Sequence, residues 1–181
     1  MNIRSFFKTL KYHFYWSKHP VEYAKKIGVN IHGVVKIYGR VEWSTEPWLI
    51  TIGDNVYITN GARFITHDGG TLVFRKDIPD LEITKPITVG NDVYFGNNVM
   101  VMPGCHIGNR VIIGAGAVVT KDIPDNSVAV GIPARVIKTA DEYLEKITRE
   151  SLHLGHLKGQ EKDEALKKYF HYAGKTKGIY Y

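Results

Sequence analysis

Between Val89 and Val119 an aliphatic or aromatic residue stands at every sixth position: Val89, Phe95, Val101, Ile107, Ile113 and Val119. A second, mostly smaller column follows four residues behind it: Val93, Val99, Cys105, Val111, Ala117 and Ile123. A lone strand alternates every two residues, and an amphipathic helix returns its apolar face at three and four. A period of six fits neither. It predicts a solenoid, in which a turn cannot bury its own apolar side and stacking of turns supplies the core. Between the columns, Gly90, Gly96, Gly108 and Gly114 stand beside Asn91, Asn97 and Asn109, residue types suited to tight corners between short strands.

The same spacing begins earlier, with Ile31, Ile37 and Trp43 in the first column and Val35 and Val41 in the second. A three-residue slip at "EPW" resets the count, and Ile52, Ile58 and Phe64 carry it to His67. There it breaks for about twenty residues, "DGGTLVFRKDIPDLEITKPI", and resumes at Val89. Ahead of the repeat, "MNIRSFFKTLKYHFYWSKHPVEYAKKI" predicts one or two short helices interrupted at Pro20. Behind it, "TADEYLEKITRESLHL" and "EKDEALKKYFHY" have helical character, the second with acidic residues early and basic ones late, as the helix dipole favours. The chain therefore divides into an N-terminal helical segment, 1–30, a repeat domain, 31–138, with a loop at 68–86, and a helical tail, 139–181, expected to cover the open end of the coil stack.

Composition narrows the setting. At 181 residues, 44% hydrophobic and 23% charged, the chain is sized for one well-buried core with extensions. Its single cysteine, Cys105, cannot form an internal disulfide, and with no cleavable leader this points to a reducing, cytoplasmic location. No apolar run approaches the roughly 20 residues of a membrane-spanning helix. The net charge of +6 attracts phosphates without saying whether they belong to nucleic acid, lipid or a small molecule. The basic, aromatic N-terminus suggests weak contact with an anionic membrane surface, at the inner membrane face, or burial of the same helix face on its own domain or a partner subunit; burial is the more general expectation. It lacks any recognisable nucleic-acid-binding module, and no phosphate-binding glycine loop occurs.

The motifs "ITIGDNVYITNGARFITHDGG", "PGCHIG", "IGAGAVVTKDIP" and "GIPARVIK" follow one another in this order, and over roughly residues 30–138 the chain resembles the hexapeptide-repeat acyltransferases. The resemblance implies a mainly β fold, a left-handed parallel β-helix whose coils form a triangular prism, here with short N-terminal helices and a C-terminal helical tail. It implies acetyl-CoA as cosubstrate, and a homotrimer with active sites between subunits. The loop at 68–86 would then reach across a neighbour and border the acceptor.

By the same resemblance, His67 in "FITHDGG" is the general base that takes a proton from the acceptor hydroxyl or amine. Imidazole suits that task, being neutral and basic near pH 7, and its place at the start of an irregular loop lets it face substrate. Asp68 either orients an imidazole or substrate, or belongs to the Asp-Gly-Gly turn. Ala115, Thr120 and Lys121 would contact CoA, with Arg135 and Lys138 near its phosphates, where forked and point cations fit. Gly114, Ala115, Gly116 and Ala117 are small enough to let a pantetheine arm lie against backbone, while also serving as corner residues. Asn97 and Tyr94 fall where the family places a pantetheine contact and an aromatic wall. No counterpart of the family's upstream oxyanion asparagine stands near Tyr38 to Arg40, which leaves the oxyanion donor unidentified, a backbone N–H being one candidate.

"PWLITIGDNVYIT" followed by "FITHDGG" is most similar to the sugar-modifying members of the family. O-acetylation of a sugar or surface-glycan precursor is the expectation, with N-acetylation of an amino-sugar or nucleotide-linked amino-sugar as the alternative. A zinc carbonic anhydrase on the same coil would need three converging imidazoles. His67 has no histidine partner five residues away and His106 stands apart, so no metal is expected. A non-catalytic trimeric scaffold would have lost the "THDGG" histidine or the "AGAVVTK" run, and both are present.

Overall fold

The structure is a computed structural model that describes residues 18–174. The membrane-surface expectation falls mainly on residues 1–17 and lies outside the described residues. Pro20 opens helix α1, Pro20–Ile27, at a position where its missing N–H costs nothing, and Gly28 ends the helix at φ 112°.

The six-residue period resolves into a three-residue strand and a three-residue corner. In Val93–Phe95 the outer two side chains point inward and are buried, while Tyr94 between them faces out. Of fourteen strands in the described residues, the first twelve have two or three residues, and the last two are longer and depart from the rule. The first three are β1 (Asn30–Ile31), β2 (Val35–Ile37) and β3 (Val41–Glu42). The next turn holds β4 (Ile50–Ile52), β5 (Val56–Ile58) and β6 (Ala62–Phe64). Beyond the loop come β7 (Ile87–Val89), β8 (Val93–Phe95) and β9 (Met100–Val101), then β10 (His106–Ile107), β11 (Val111–Ile113) and β12 (Val118–Val119). The last two are β13 (Ser127–Val130) and β14 (Arg135–Thr139).

Through β12 every third strand stacks, and β13 and β14 extend one face, giving three sheets ordered β1-β4-β7-β10, β2-β5-β8-β11-β13-β14 and β3-β6-β9-β12. All pairs are parallel except β13 with β14, which is antiparallel. These are the three faces of a left-handed parallel β-helix. Both apolar columns from Val89 to Ile123 are buried. Trp43 stacks on Phe64 at 5.0 Å, and Phe64 meets Phe95 edge-on at 5.4 Å, so aromatic rings fill the prism where the first coils join.

The stagger between stacked strands reports the irregularities. Thr88 pairs with His106, Val93 with Val111 and Met100 with Val118, 18 residues apart, or three hexads per turn. Val35 pairs with Val56 and Val41 with Ala62, 21 residues apart; the slip at "EPW" is accommodated by a 3-10 turn, Pro47–Leu49, before β4. Ile50 pairs with Ile87, and the excess is the loop.

At the corners the glycines and their neighbours do different jobs. The left-handed conformation falls one or two residues before a strand: Asn55, Asp92, Asn98, Gly104, Arg110 and Gly116 all have φ between 53° and 83°. Gly90, Gly96, Gly108 and Gly114 are not among the positive-φ residues; they are needed for closeness. A Cβ on Gly90 would sit 2.8 Å from the Gly108 carbonyl carbon, and one on Gly96 2.5 Å from the Ala115 nitrogen. Gly90→Ala is therefore expected to cost about 1–3 kcal/mol through overpacking against rigid backbone, read as a lower urea midpoint at fixed protein concentration. Side chains beside the glycines tie the coils together: Asn91 Oδ1 accepts from the Asp54 N–H at 2.8 Å, Asn109 Oδ1 from Asn91 at 2.9 Å, and Asp125 Oδ1 from Asn109 at 2.6 Å.

The chain divides into two compact units, Met1–Glu142 and Tyr143–Tyr181. Helix α2, Ala140–Glu150, starts from a capping box in which Thr139 Oγ1 accepts the Glu142 N–H and Glu142 Oε2 accepts the Thr139 N–H. Helix α3, Gly159–Tyr169, lies in the second unit, with Glu161 in its first turn and Lys167 and Lys168 in its last.

Candidate active site

β6 brings the chain to one edge of the prism, where it leaves the repeat. The Ile65 N–H still bonds Val101 O, as the coil rule requires, but the next partners belong to the far end of the loop. Lys85 donates to Thr66 O at 2.8 Å, Asp68 donates to Ile83 O at 2.9 Å, and His67 lies opposite Thr84 in an antiparallel bridge. Both ends of the loop are thus clipped together, and His67 is held on the lip with its side chain 37% exposed.

The "EPW" slip delivers a carboxylate to this point. Glu46 immediately precedes the 3-10 turn, and its Oε2 lies 2.9 Å from His67 Nδ1. The same oxygen accepts from Thr66 Oγ1 at 2.7 Å, and Oε1 accepts from Thr45 Oγ1 at 2.5 Å. Ser44 Oγ bonds Thr66 Oγ1 at 2.8 Å and stands 3.4 Å from His67 Nδ1. Thr66 is fully buried, so its hydroxyl is held in this network rather than in water.

These donors stabilise the ionised form of Glu46. The Thr45 hydroxyl first, then Thr66 and His67, hold its carboxyl down at about 2, against an ordinary value of 4.5. Because the folded-state value is depressed, the stabilisation is complete above about pH 4.5 and is lost as pH falls toward about 2. Thermal midpoints measured from about pH 6 down to about pH 3 should fall more steeply for the wild type than for Glu46→Gln, and equal slopes would remove this contribution.

Asp68 Oδ1 accepts the Gly70 N–H at 2.8 Å and caps the 3-10 turn Gly69–Val73. Thr120 and Lys121 are exposed just after β12, on the same edge as His67. The ladder from Ile65 through Met102 sets Thr120 level with Ile65, two residues before His67, and two strand spacings, roughly 10 Å, from Ile65. Asn97 and Ala115 stack at the preceding edge, where the Gly116 N–H donates to Asn97 O at 2.8 Å, with β9 and β12 between the two edges. Tyr94 projects from β8, 41% exposed, in register with Tyr57 and Ile112. Arg135 and Lys138 lie on β14; the Arg135 side chain donates to Ala134 O at 2.9 Å, and Lys138 is in register with Val128.

The arrangement thus sets His67, Thr120 and Lys121 on one edge, Asn97 and Ala115 on the next, and Tyr94, Arg135 and Lys138 on the six-stranded face. A cavity of about 440 Å³ lies between α1 and β3, walled by Tyr23, Ile27 and Ile37 with Arg40, Glu42 and Ser44, and so reaches the residue that touches the imidazole. His106 belongs to another sheet, with Nδ1 2.6 Å from Thr88 Oγ1. Among the described residues no three His, Cys, Asp or Glu side chains gather as metal ligands. Nor, among them, is any helix long and apolar enough to cross a membrane.

Residues 86–121 match the family described as bacterial transferase hexapeptide (six repeats). Protein CapG of Staphylococcus aureus is 41% identical over 140 residues, covering 76% of this chain and 81% of that protein. Galactoside O-acetyltransferase of Escherichia coli K12 is 38% identical over 129 residues, covering 70% of this chain and 62% of its own length. Among solved structures, a galactoside acetyltransferase in complex with coenzyme A superposes with a TM-score of 0.58 at 31% identity, covering 76% of this chain and 80% of that one.

Proposed function

Because the chain belongs to the hexapeptide-repeat bacterial transferases and is an acetyl-CoA-dependent acetyltransferase, we propose that it acetylates a hydroxyl of a sugar or surface-glycan precursor with His67 as general base. The observation that carries this reading is the half-exposed imidazole on the prism lip, its Nδ1 engaged by Glu46 and its edge shared with Thr120 and Lys121. The sugar acceptor is supported by the galactoside-acetylating relatives.

In the proposed reaction His67 takes the hydroxyl proton as the acceptor oxygen attacks the thioester carbonyl carbon. The carbon–sulfur bond breaks, and the imidazolium returns its proton to the departing thiolate, so the side chain ends as it began. Lys121, Arg135 and Lys138 are the cations offered to the donor's phosphates, and the small residues at Gly114 to Ala117 leave room for its extended arm. Asn97, Tyr94 and Ala115 would complete that channel.

A homotrimer with sites between subunits accompanies this reading. Leu72, Val73, Phe74 and Ile78 are exposed on the loop, which Arg75 braces through Leu81 O and Glu82, and a neighbouring subunit would cover them. A cytoplasmic location suits an enzyme that draws on acetyl-CoA.

The test is thiol release from acetyl-CoA against a panel of neutral sugars, nucleotide-sugars, amino-sugars and serine. Turnover with a sugar hydroxyl is the expected result. Turnover with amino-sugars alone would replace O-acetylation by N-acetylation, and turnover with serine alone would overturn the sugar reading.

A further inference from the structure

We infer that Glu46 is a positioning residue for His67: it fixes the imidazole with its proton on Nδ1 and leaves the Nε2 lone pair to face the acceptor. The inference rests on His67 being the base and adds how its ring is set.

Counting donors leads to this assignment. A carboxylate only accepts, so each of the three contacts to Glu46 must bring a proton: the Thr45 hydroxyl to Oε1, and the Thr66 hydroxyl and His67 Nδ1 to Oε2. Thr66 has one hydroxyl proton and gives it to Glu46, so its oxygen must accept from Ser44 Oγ, 2.8 Å away. Ser44 has then used its own proton, and Thr45 has used its own on Glu46. At 3.4 Å neither hydroxyl has a proton left for Nδ1. Every proton in the cluster is accounted for only when Nδ1 carries one, which makes Nε2 the acceptor nitrogen of a neutral ring.

The carboxylate stays ionised far below neutral pH, so it supplies no competing proton over the working range. Its place in the chain adds a second line of support. Glu46 belongs to the turn of 21 residues and not to one of 18, and the slip places it opposite the stretch just beyond β6 that carries His67.

The experiment reads the tautomer directly. In full-length protein with ring-¹⁵N-labelled histidine, the His67 signals, assigned by their loss in His67→Ala, should show Nδ1 protonated and Nε2 bare. Glu46→Gln, whose amide can turn either its oxygen or its NH₂ toward the ring, should give mixed tautomers. Its kcat should fall about 10- to 100-fold or more with the KM for acetyl-CoA unchanged, measured with the most active sugar of the panel. Wild-type His67 protonated on Nε2 would overturn the inference without any variant, so poor folding of Glu46→Gln leaves it decidable. Thr66→Val, which removes one donor to Glu46 and keeps the carboxylate, should retain the Nδ1-protonated form and lose less activity. Should His67→Ala remain active, the assignment of the base fails; should His67→Ala be inactive while Glu46→Gln keeps both tautomer and kcat, only the role of Glu46 fails.

Discussion

Replacing His67 with alanine lowers acetyl transfer by about 10²- to 10⁴-fold, the span that positioned proton transfer contributes, while the fold and the affinity for CoA persist. The separation of these effects follows from where the ring sits. It is 37% exposed on the lip and outside the buried columns, so its loss opens no cavity in the prism. Glu46 keeps its bonds to Thr45 and Thr66, and its carboxylate remains satisfied. Thiol release with a sugar acceptor measures the first effect, and CoA binding by calorimetry with thermal unfolding measures the second. Near-normal turnover in the variant would remove His67 from the chemistry; a collapsed melting transition would assign the ring a structural role instead.

Phe64→Ala is expected to have the largest effect on stability, about 3–5 kcal/mol. Phe64 is 1% exposed and sits at the junction of the first coils, with the Trp43 indole flat on one side and the Phe95 ring edge-on to it. Parallel strands hold the surrounding backbone on two sides, with Phe64 in register with Val101, which limits collapse around the gap. The variant should also lose activity out of proportion to its fold. Phe64 closes the strand from which Thr66 and His67 emerge, and small displacements there reach the Glu46 network directly. Urea unfolding at fixed protein concentration checks the first statement, and a loss below about 1 kcal/mol would mean that the site repacks.

The prism was legible in the sequence because its burial is periodic: each inward residue recurs at six, and each corner repeats its own residue types. The slip at "EPW" and the break after His67 were legible for the same reason, as departures from a count. What the slip accomplishes was not. Glu46 meets His67 across 21 residues of chain through a turn that obeys no period, and no local pattern marks a carboxylate as facing an imidazole. The glycine corners show a subtler gap. The repeat marked Gly90 and Gly96 as corner residues without saying what the corner asks of them; the demand there is for contact distance, and Asp92 and Asn98 take the unusual φ. For Asp68 the sequence left two readings open, and its bond to the Gly70 N–H is the turn's.

One feature at the other end of the molecule bears on how long such a stack can be. Identical parallel rungs offer no natural stopping point, since each exposes the same hydrogen-bonding rim to a successor. β14 runs the opposite way, and by lying antiparallel on β13 it takes up that strand's outer hydrogen-bonding rim from within the same chain. On the six-stranded face the place of a further parallel rung beside β13 is thereby already taken.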